Sequence, residues 1–451
     1  MKWFVGIGGI LLLVAIVPLA IEYPLVVGIG IVAVVVLSWL VRQGLWRSMY
    51  VLVILTTLGA ISSIAPWVAV SAYGRVIAVG GLLVATYWVT RNETTVAARG
   101  ASRWILTCLA LLATVASVSA VWSVSIIDTI TQAALFIALV LIVHRLVTRR
   151  WTDRKTMVGD FSVAVTVLSL SMLIGIGVHF AGLLPATFSG RFQGLFNNPN
   201  LAAIIALLTM FLAWGLFLES RGVLRLLLVV PPFLTIALTE TRAAFVAALI
   251  GMVWMGARAG WRMFFLTAAL LATIAALGAP LWMPVIDRFG VISAGDAFAG
   301  RTLGWETAFH LLSLRPVGYG WAATQSVFAS AFDSGLSVFR PQSAHNSYLQ
   351  TLLEVNWVGA AILILVLIGV VVLIFRQRPT GVEVGFSGAV VAGLVIQASE
   401  SPLFGTGQPY PWLYWFAIAG LMATRRQHPP RAMPRSQKRR RAIRRQYLNA
   451  T

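Results

Sequence analysis

Residues 344–375 read AHNSYLQTLLEVNWVGAAILILVLIGVVVLIF, a short polar start followed by a long apolar run. The apolar part, 348–375, is long enough to cross about 30 Å of hydrocarbon as a helix. The polar part closes the longest polar stretch of the chain, 281–346. We interpret the pair as a membrane span that leaves a large loop. Four arginines lie in that loop: Arg288, Arg301, Arg315 and Arg340.

The composition of the whole chain is that of a membrane protein. Of its 451 residues, 59% are hydrophobic and only 11% are charged, whereas soluble domains contain roughly 25% charged residues. The single cysteine, Cys108, excludes an internal disulfide and a thiolate metal site. The apolar run after Lys2 resembles a signal peptide, but no small-residue cleavage site follows it, so it is interpreted as the first span.

Apolar windows long enough to cross a bilayer recur along the chain and predict an all-α polytopic protein with 12–14 transmembrane helices. The expected organisation is an N-terminal group of helices over 1–156, a core over 157–424 with the large loop 281–346, and a basic tail over 425–451. The windows are 3–20, 25–41, 49–68, 75–90, 104–122, 127–147, 157–181, 200–218, 223–238, 243–257, 263–280, 348–375, 384–399 and 410–424.

The basic residues predict the orientation of these windows, because cytoplasmic connections are enriched in Lys and Arg. Alternate connections, with both termini, hold 27 of the 34 basic residues. Both termini are therefore expected in the cytoplasm. The basic tail is interpreted as a segment that touches anionic membrane lipid, with a nucleic acid or a partner protein as alternatives. Seven arginines lie on the outer side: Arg75, Arg191, Arg242, Arg288, Arg301, Arg315 and Arg340.

Two outer motifs before the large loop are candidates for binding an anion. Asn198-Pro199 predicts a helix start, which places free backbone N–H groups behind Arg191. Arg242 lies between two windows, where Glu240 is the nearby acid that would orient it. The structural alternatives are an interfacial arginine at a loop end and a local Glu240–Arg242 ion pair in a tight turn.

Two further motifs belong to the large loop. Residues 300–310 predict a helix with Arg301 on one face, which could equally be an interfacial amphipathic helix. His345 precedes the span at 348 and is expected in its first turn, beside Asn346. A histidine there can act as a base near neutral pH, or simply cap the helix. No acidic or histidine cluster has metal-ligand spacing, and no lysine-containing phosphate loop is present, so metal-free chemistry without a cofactor is expected.

These motifs together resemble the bacterial O-antigen ligase and polymerase superfamily. The resemblance covers roughly 185–360 and rests on motifs that are weak singly but specific in this order. They are RFQGLFNNPN at 191–200, TETRAA at 239–244, GRTLGW at 300–305, RPVGYG at 315–320, and HNSYL at 345–349 with Glu354.

The resemblance implies a metal-independent membrane glycosyltransferase fold in the bacterial inner membrane. It implies that Arg191, Arg242 and Arg301 bind the pyrophosphate of an undecaprenyl-linked glycan and that His345 activates an acceptor hydroxyl. Asn346, Glu240 and Tyr348 are expected to support them. A guanidinium matches two phosphate oxygens and an ammonium does not, so lysine is expected to replace these three arginines poorly. Arg75 lies outside the motifs and is expected to tolerate lysine.

The sequence leaves several functions open. The acceptor is lipid A–core for a ligase, or a second lipid-linked glycan for a polymerase, and a protein hydroxyl is not separated from these. The alternative of another class is a flippase or exporter of lipid-linked glycans, which is not an enzyme. A flippase is expected to place its charges along a path through the spans, whereas every candidate residue here maps to the outer side. Nucleic acid is not expected as a partner.

The predicted orientation can be checked with a reporter enzyme that is active only outside the cytoplasm. Fused within 320–335, the reporter is expected to be active, and fused after Thr424 it is expected to be silent. The opposite pattern would place the candidate residues on the cytoplasmic side and would contradict the orientation.

Overall fold

The computed structural model describes residues 44–183, 191–260, 265, 301–332, 343–376, 379–401 and 403–424. Within these ranges the regular elements are helices, and β structure is confined to an isolated antiparallel bridge between Ser62 and Phe196. The protein is an all-α polytopic membrane protein, so the predicted fold class is confirmed.

The described helices are numbered here in chain order. They are α1 Leu45–Ala60, α2 Ala65–Thr90, α3 Ala101–Val118, α4 Ile126–Thr148, α5 Arg154–Phe180, α6 Pro199–Ser220, α7 Val223–Leu227, α8 Val230–Leu238, α9 Arg242–Ala259, α10 Arg301–Leu314, α11 Thr324–Phe332, α12 Ser347–Arg376, α13 Val382–Ile396 and α14 Pro409–Thr424. Short 3-10 turns follow α3 at Ser119–Trp122 and α4 at Arg150–Thr152.

Seven of the described helices are long and apolar enough to cross a membrane: α2 from Tyr73, α3 with its 3-10 turn, α4 with its 3-10 turn, α5, α6, α9 and α12. α1, α13 and the α7–α8 segment are apolar but shorter. Most of the predicted windows that fall in the described ranges coincide with a helix to within a few residues. The predicted windows 3–20, 25–41 and 263–280 lie outside the described residues.

Two predicted windows differ from the helices, in both cases because of proline. The window 49–68 is divided by a turn at 61–64, and Pro66 stands in the first turn of α2. The window 223–238 is divided into α7 and α8, with proline in the first turn of α8. Proline lacks a backbone N–H and is favoured where a helix begins. An average of hydropathy does not register these restarts.

The helices alternate in direction, and the chain therefore has two faces. The site face, as we define it, carries the connections 61–64, 119–125, 191–198, 239–241, 315–323 and 397–408. The opposite face carries the connections 91–100, 149–153, 221–222 and 379–381. Arg191, Arg242, Arg301 and His345 all belong to the site face, as the sequence predicts.

α6 lies at the centre of the bundle, where 83% of its apolar window is buried. Its backbone meets the backbone of α13 at two glycines. A Cβ added to Gly215 would lie 2.8 Å from the carbonyl oxygen of Val382 and 2.9 Å from the Cα of Gly385. Small residues of this kind let transmembrane helices approach closely. α13 is therefore fixed against α6, and it leads directly to the site face.

A buried carboxylate holds the first half of the bundle together on the opposite face. Asp160 of α5 accepts hydrogen bonds from Arg47 Nε at 2.8 Å and from Trp151 Nε1 at 3.0 Å. Arg150 donates to both of its oxygens, at 2.8 and 2.9 Å. Because both carboxylate oxygens are paired, the charge is compensated inside the bundle.

A second ion cluster on the opposite face joins α5 to the core. Arg154 donates to both carboxylate oxygens of Glu219 at 2.8 Å and to Glu383 Oε1 at 2.6 Å. These acids belong to the end of α6 and the start of α13. The same two helices that meet through glycines are thus also clamped at their opposite-face ends.

The connection 315–323 on the site face packs where α12 is kinked. Val355 and Asn356 leave helical geometry, and Asn356 has a φ of 58°. Backbone N–H groups of Tyr319 and Gly320 donate to the carbonyls of Leu353 and Glu354, at 3.1 and 2.9 Å. Burial raises the pKa of Tyr319. The loop therefore takes over carbonyls that the kink frees from the helix.

Replacing Gly385 with alanine tests the close contact of α6 and α13. The new Cβ would meet the carbonyl oxygen of Phe211 at 2.4 Å, so we expect a loss of about 1–3 kcal/mol, seen as a lower Tm in detergent. Gly177→Ala in α5 is the matched control, because nothing lies within 4 Å of its Cβ position. Equal Tm values for the two variants would contradict the described packing.

Candidate active site

The carboxylate of Glu400 joins two of the residues that the sequence analysis selected. Arg301 Nη2 donates to Glu400 Oε1 at 2.6 Å, and His345 Nδ1 lies 3.3 Å from Glu400 Oε2. The Glu400 side chain is only 8% exposed, while the His345 side chain is 38% exposed. The site thus combines a nearly buried anion with an imidazole that an incoming molecule can reach.

The residues of this site come from three separate parts of the chain. Arg301 lies in the first turn of α10, His345 lies two residues before the start of α12, and Glu400 lies in the connection after α13. Backbone bonds hold the last two together. Ser347 N donates to the carbonyls of Gln397 and Glu400 at 2.9 and 3.1 Å, and Asn346 N donates to Ser401 Oγ at 2.8 Å. The distance between His345 and Glu400 is therefore set by the backbone as well as by their side chains.

The prediction that His345 occupies the first turn of the span is wrong. α12 begins at Ser347, and His345 precedes it with a φ of 45°. The capping residue is Asn346, whose Oδ1 accepts from the N–H groups of Tyr348 and Leu349 at 3.0 and 3.1 Å. The short asparagine amide satisfies these N–H groups, and the imidazole is left to face Glu400.

Tyr348 lies in the first turn of the same helix. Its hydroxyl donates to the carbonyl of Leu394 in α13 at 2.9 Å. This bond joins the start of α12 to α13, three residues after His345 and six residues before Glu400 in the sequence. Tyr348 therefore helps to fix the two helices whose ends carry those residues.

Arg191 belongs to a second cluster on the site face. Its Nε and Nη2 both donate to the carbonyl of Thr239, at 2.9 and 2.6 Å. Nη2 also donates to Thr241 Oγ1 at 2.8 Å and to Asn200 Oδ1 at 3.2 Å. The Nε/Nη2 edge of this guanidinium is thus occupied by the protein itself, and it fixes the turn that precedes Arg242.

The helix starts around this cluster are close to those predicted. Asn198 Oδ1 accepts from Asn200 N at 2.8 Å, and α6 begins at Pro199. Glu240 adopts a left-handed backbone with a φ of 51°, and α9 begins at Arg242. Arg242 is partly buried at this start. The turn 239–241 therefore presents Arg242 on the site face next to the residues that Arg191 holds.

The structure brings the selected residues into two clusters. Arg191, Glu240 and Arg242 lie at the starts of α6 and α9, and Arg301 and His345 lie at Glu400. α13 packs against both α6 and α9 and ends just before Glu400. The packing of α13 therefore links the positions of the two clusters.

Glu400 itself was missed by the sequence analysis, which took the connections before 347 as the outer polar places. A signal was present, since Ser399-Glu400-Ser401 follows an apolar window on the outer side of a chain with only 14 acidic residues. Within the described ranges, no group of three or more His, Cys, Asp or Glu side chains is arranged to hold a metal ion.

A family model described as O-antigen ligase matches residues 227–364. Residues 227–364 are therefore similar to the O-antigen ligase family. The match confirms the predicted resemblance, and it contains Arg242, Arg301 and His345, whereas Arg191 and Glu400 lie outside it. No match is found among the curated proteins.

The Arg301–Glu400 ion pair can be tested by a double-mutant cycle of stability. Arg301→Gln and Glu400→Gln are each expected to lower Tm, because each leaves a nearly buried charge unpaired. We expect the double variant to recover part of the loss, with a coupling of about 1–3 kcal/mol. Glu306→Gln on the exposed face of α10 is the control and is expected to be neutral. Strictly additive losses would show that the two side chains do not interact.

Proposed function

We propose that the chain transfers a glycan from a polyprenyl-pyrophosphate donor to a hydroxyl of an acceptor, which is lipid A–core or a second lipid-linked glycan. The family of residues 227–364 supports chemistry of the O-antigen ligase or polymerase type. The observation that carries the proposal is the arrangement around Glu400, with His345 Nδ1 at 3.3 Å and Arg301 Nη2 at 2.6 Å.

His345 is the general base in this proposal. With Nδ1 protonated and donating to Glu400, Nε2 keeps its lone pair and can accept the proton of the acceptor hydroxyl. As the proton moves, the imidazole becomes cationic and the adjacent carboxylate stabilises that charge. Glu400 is therefore a positioning residue, which sets the tautomer of His345 and faces away from the substrate.

The bond changes follow from this assignment. The acceptor oxygen attacks the anomeric carbon, the new glycosidic C–O bond forms, and the bond from that carbon to the pyrophosphate oxygen breaks. The electron pair leaves with the pyrophosphate, and the hydroxyl proton stays on His345 Nε2. Attack opposite to the departing group inverts the configuration at the anomeric carbon. No metal ion takes part in the proposed step.

Arginines stabilise the leaving pyrophosphate in this proposal. Arg301 Nε is buried and has no hydrogen-bond partner, although its Nη2 is paired with Glu400. A buried donor without an acceptor is costly, and a phosphate oxygen would satisfy it. Arg242 is assigned to the same pyrophosphate. Arg191 contributes by fixing the turn before Arg242, because its Nε/Nη2 edge is already occupied.

The location proposed for this reaction is the periplasmic side of a bacterial inner membrane, with both termini in the cytoplasm. The donor is then an undecaprenyl-pyrophosphate glycan. The acceptor is lipid A–core if the enzyme is a ligase, or a second undecaprenyl-linked glycan if it is a polymerase. The experiment that tests the function supplies lipid-linked glycan to membranes of a host that lacks its own ligase and identifies the product. The absence of any glycan transfer would contradict the proposal.

The role of His345 can be separated from helix capping in the same assay. His345→Ala and His345→Asn are both expected to lose activity by about 10²–10⁴-fold, because neither retains a base. Since Asn346 already caps α12, asparagine at 345 is not expected to restore anything.

The control for this prediction is His310→Asn, because His310 is an exposed histidine of α10 in the same loop. It is expected to keep normal activity at matched protein levels and saturating donor. An active His345→Asn variant beside an inactive His345→Ala variant would show that residue 345 has a structural role only.

A further inference from the structure

Arg75 has an environment on the site face that the sequence did not predict. It is the third residue of the apolar window Tyr73–Thr90 in α2, and it is partly buried. Its Nε is buried and has no hydrogen-bond partner. Among the residues that the structure describes, none accepts a hydrogen bond from Arg75 or forms an ion pair with it.

An unpaired guanidinium at this depth is energetically unfavourable. Arginine within an apolar span is retained where it faces a cavity, a partner or a ligand. The other described arginines of the site face all have interactions within the protein: Arg191 with Thr239, Arg301 with Glu400, Arg315 with Trp122, and Arg242 at the start of α9. Arg75 differs from them because its donors are not used.

The guanidinium of Arg75 lies against the backbone of Gly407. A Cβ added to Gly407 would be 2.6 Å from Arg75 Nη1 and 3.3 Å from Cζ. Such a contact fits a residue without a side chain, so Gly407 is what allows the guanidinium to lie there. Gly407, in the connection 403–408, thus forms one wall of the space around Arg75.

That wall is held in place by bonds to three helices. Thr406 Oγ1 donates to Gln132 Oε1 in α4 at 3.1 Å, and its carbonyl accepts from Trp412 Nε1 in α14 at 2.9 Å. Leu403 N donates to Ser347 Oγ in α12 at 3.3 Å. The Arg75 guanidinium therefore faces a fixed backbone, as an anion site requires.

The same connection links Arg75 to the candidate active site. Glu400 and Gly407 are seven residues apart, a separation of at most about 24 Å for an extended chain. Between them in the chain, Phe404 packs against Phe136 and Trp321. Arg75 is thus within the reach of one large glycolipid, yet it belongs to a different part of the loop from Glu400.

We propose that Arg75, beside Gly407, binds a phosphate group of the acceptor lipid. This inference rests on the proposed transfer reaction, in which Arg301 and Arg242 serve the donor pyrophosphate, His345 meets the acceptor hydroxyl, and the phosphate of the acceptor has no assigned site. A guanidinium recognises phosphate oxygens with two parallel hydrogen bonds. Both possible acceptors carry phosphate, either on lipid A or in a second polyprenyl pyrophosphate.

Direct binding tests the assignment independently of glycan transfer. The purified full chain in detergent is titrated with lipid A–core that carries its phosphates, with the same glycolipid after phosphatase treatment, and with undecaprenyl-pyrophosphate glycan. For Arg75→Gln we expect Kd for the phosphate-bearing acceptor to rise about 10- to 100-fold, as the loss of charge-assisted hydrogen bonds implies. Arg75→Lys, which the sequence alone predicts to be tolerated, is expected from this geometry to retain only part of the affinity.

Two further variants keep the test valid if the first one misfolds. Gly407→Ala leaves every charge in place but puts a methyl group where the guanidinium lies, so it is expected to weaken the same binding. Arg91→Gln is the matched control, because Arg91 ends the same helix on the opposite face and lies over Trp88. Its Kd is expected to equal that of the wild type.

The outcomes distinguish the two lipid sources. If Arg75→Gln weakens the binding of phosphorylated lipid A–core alone, the acceptor is of the ligase type. If Arg75→Gln removes one of two binding sites for undecaprenyl-pyrophosphate glycan, the acceptor is of the polymerase type. Unchanged Kd and site number in both Arg75→Gln and Gly407→Ala would overturn the inference, and so would equal competition by phosphatidylglycerol micelles. Phosphate-dependent binding without any glycan transfer would contradict the proposed reaction and leave the phosphate site standing.

Discussion

A nearly buried carboxylate, Glu400, is the interaction on which the candidate site depends. A guanidinium beside an imidazole disfavours a positive charge on that imidazole, unless an anion lies between them. Glu400 supplies that anion, with one oxygen toward Arg301 and the other toward His345. The carboxylate in turn requires these partners, because a buried charge without them is strongly destabilising. The start of α10, the start of α12 and the end of α13 are therefore fixed by one charge.

Acidic residues are scarce in this chain, 14 against 34 basic ones, and the described buried acids lie where helices meet. On the opposite face, Asp160 and Glu219 each use both carboxylate oxygens in ion pairs with arginine. Those pairs clamp the bundle. On the site face, by contrast, Arg301 and Arg75 keep a buried Nε without an acceptor. The arginines paired with Asp160 and Glu219 therefore hold the bundle together, whereas Arg301 and Arg75 each keep a donor that a ligand could use.

The sequence was sufficient for the helices and for the chemistry of single residues, and insufficient for the contacts between them. Within the described ranges, hydropathy located most spans because apolar length is a local property, and it missed the points where Pro66 and the prolines of α8 restart a helix. The pairing of Glu400 with His345 and Arg301 spans 55 and 99 residues of chain. A local sequence pattern does not reveal contacts between such distant residues. The sequence therefore gave no indication that Glu400, at the end of an apolar window, pairs with His345 and Arg301.

The residues of the candidate site lie partly inside the matched segment, 227–364, and partly outside it. The groups proposed to touch substrate, His345, Arg242 and Arg301, lie inside the segment. Glu400, which orients His345, and Arg191, which fixes the turn before Arg242, lie outside it. A reactive group performs its role only when its tautomer and direction are set. In the proposed reaction the flanking helices are therefore needed for the chemistry itself, because residues 227–364 alone would leave the proposed base and arginines without the partners that orient them.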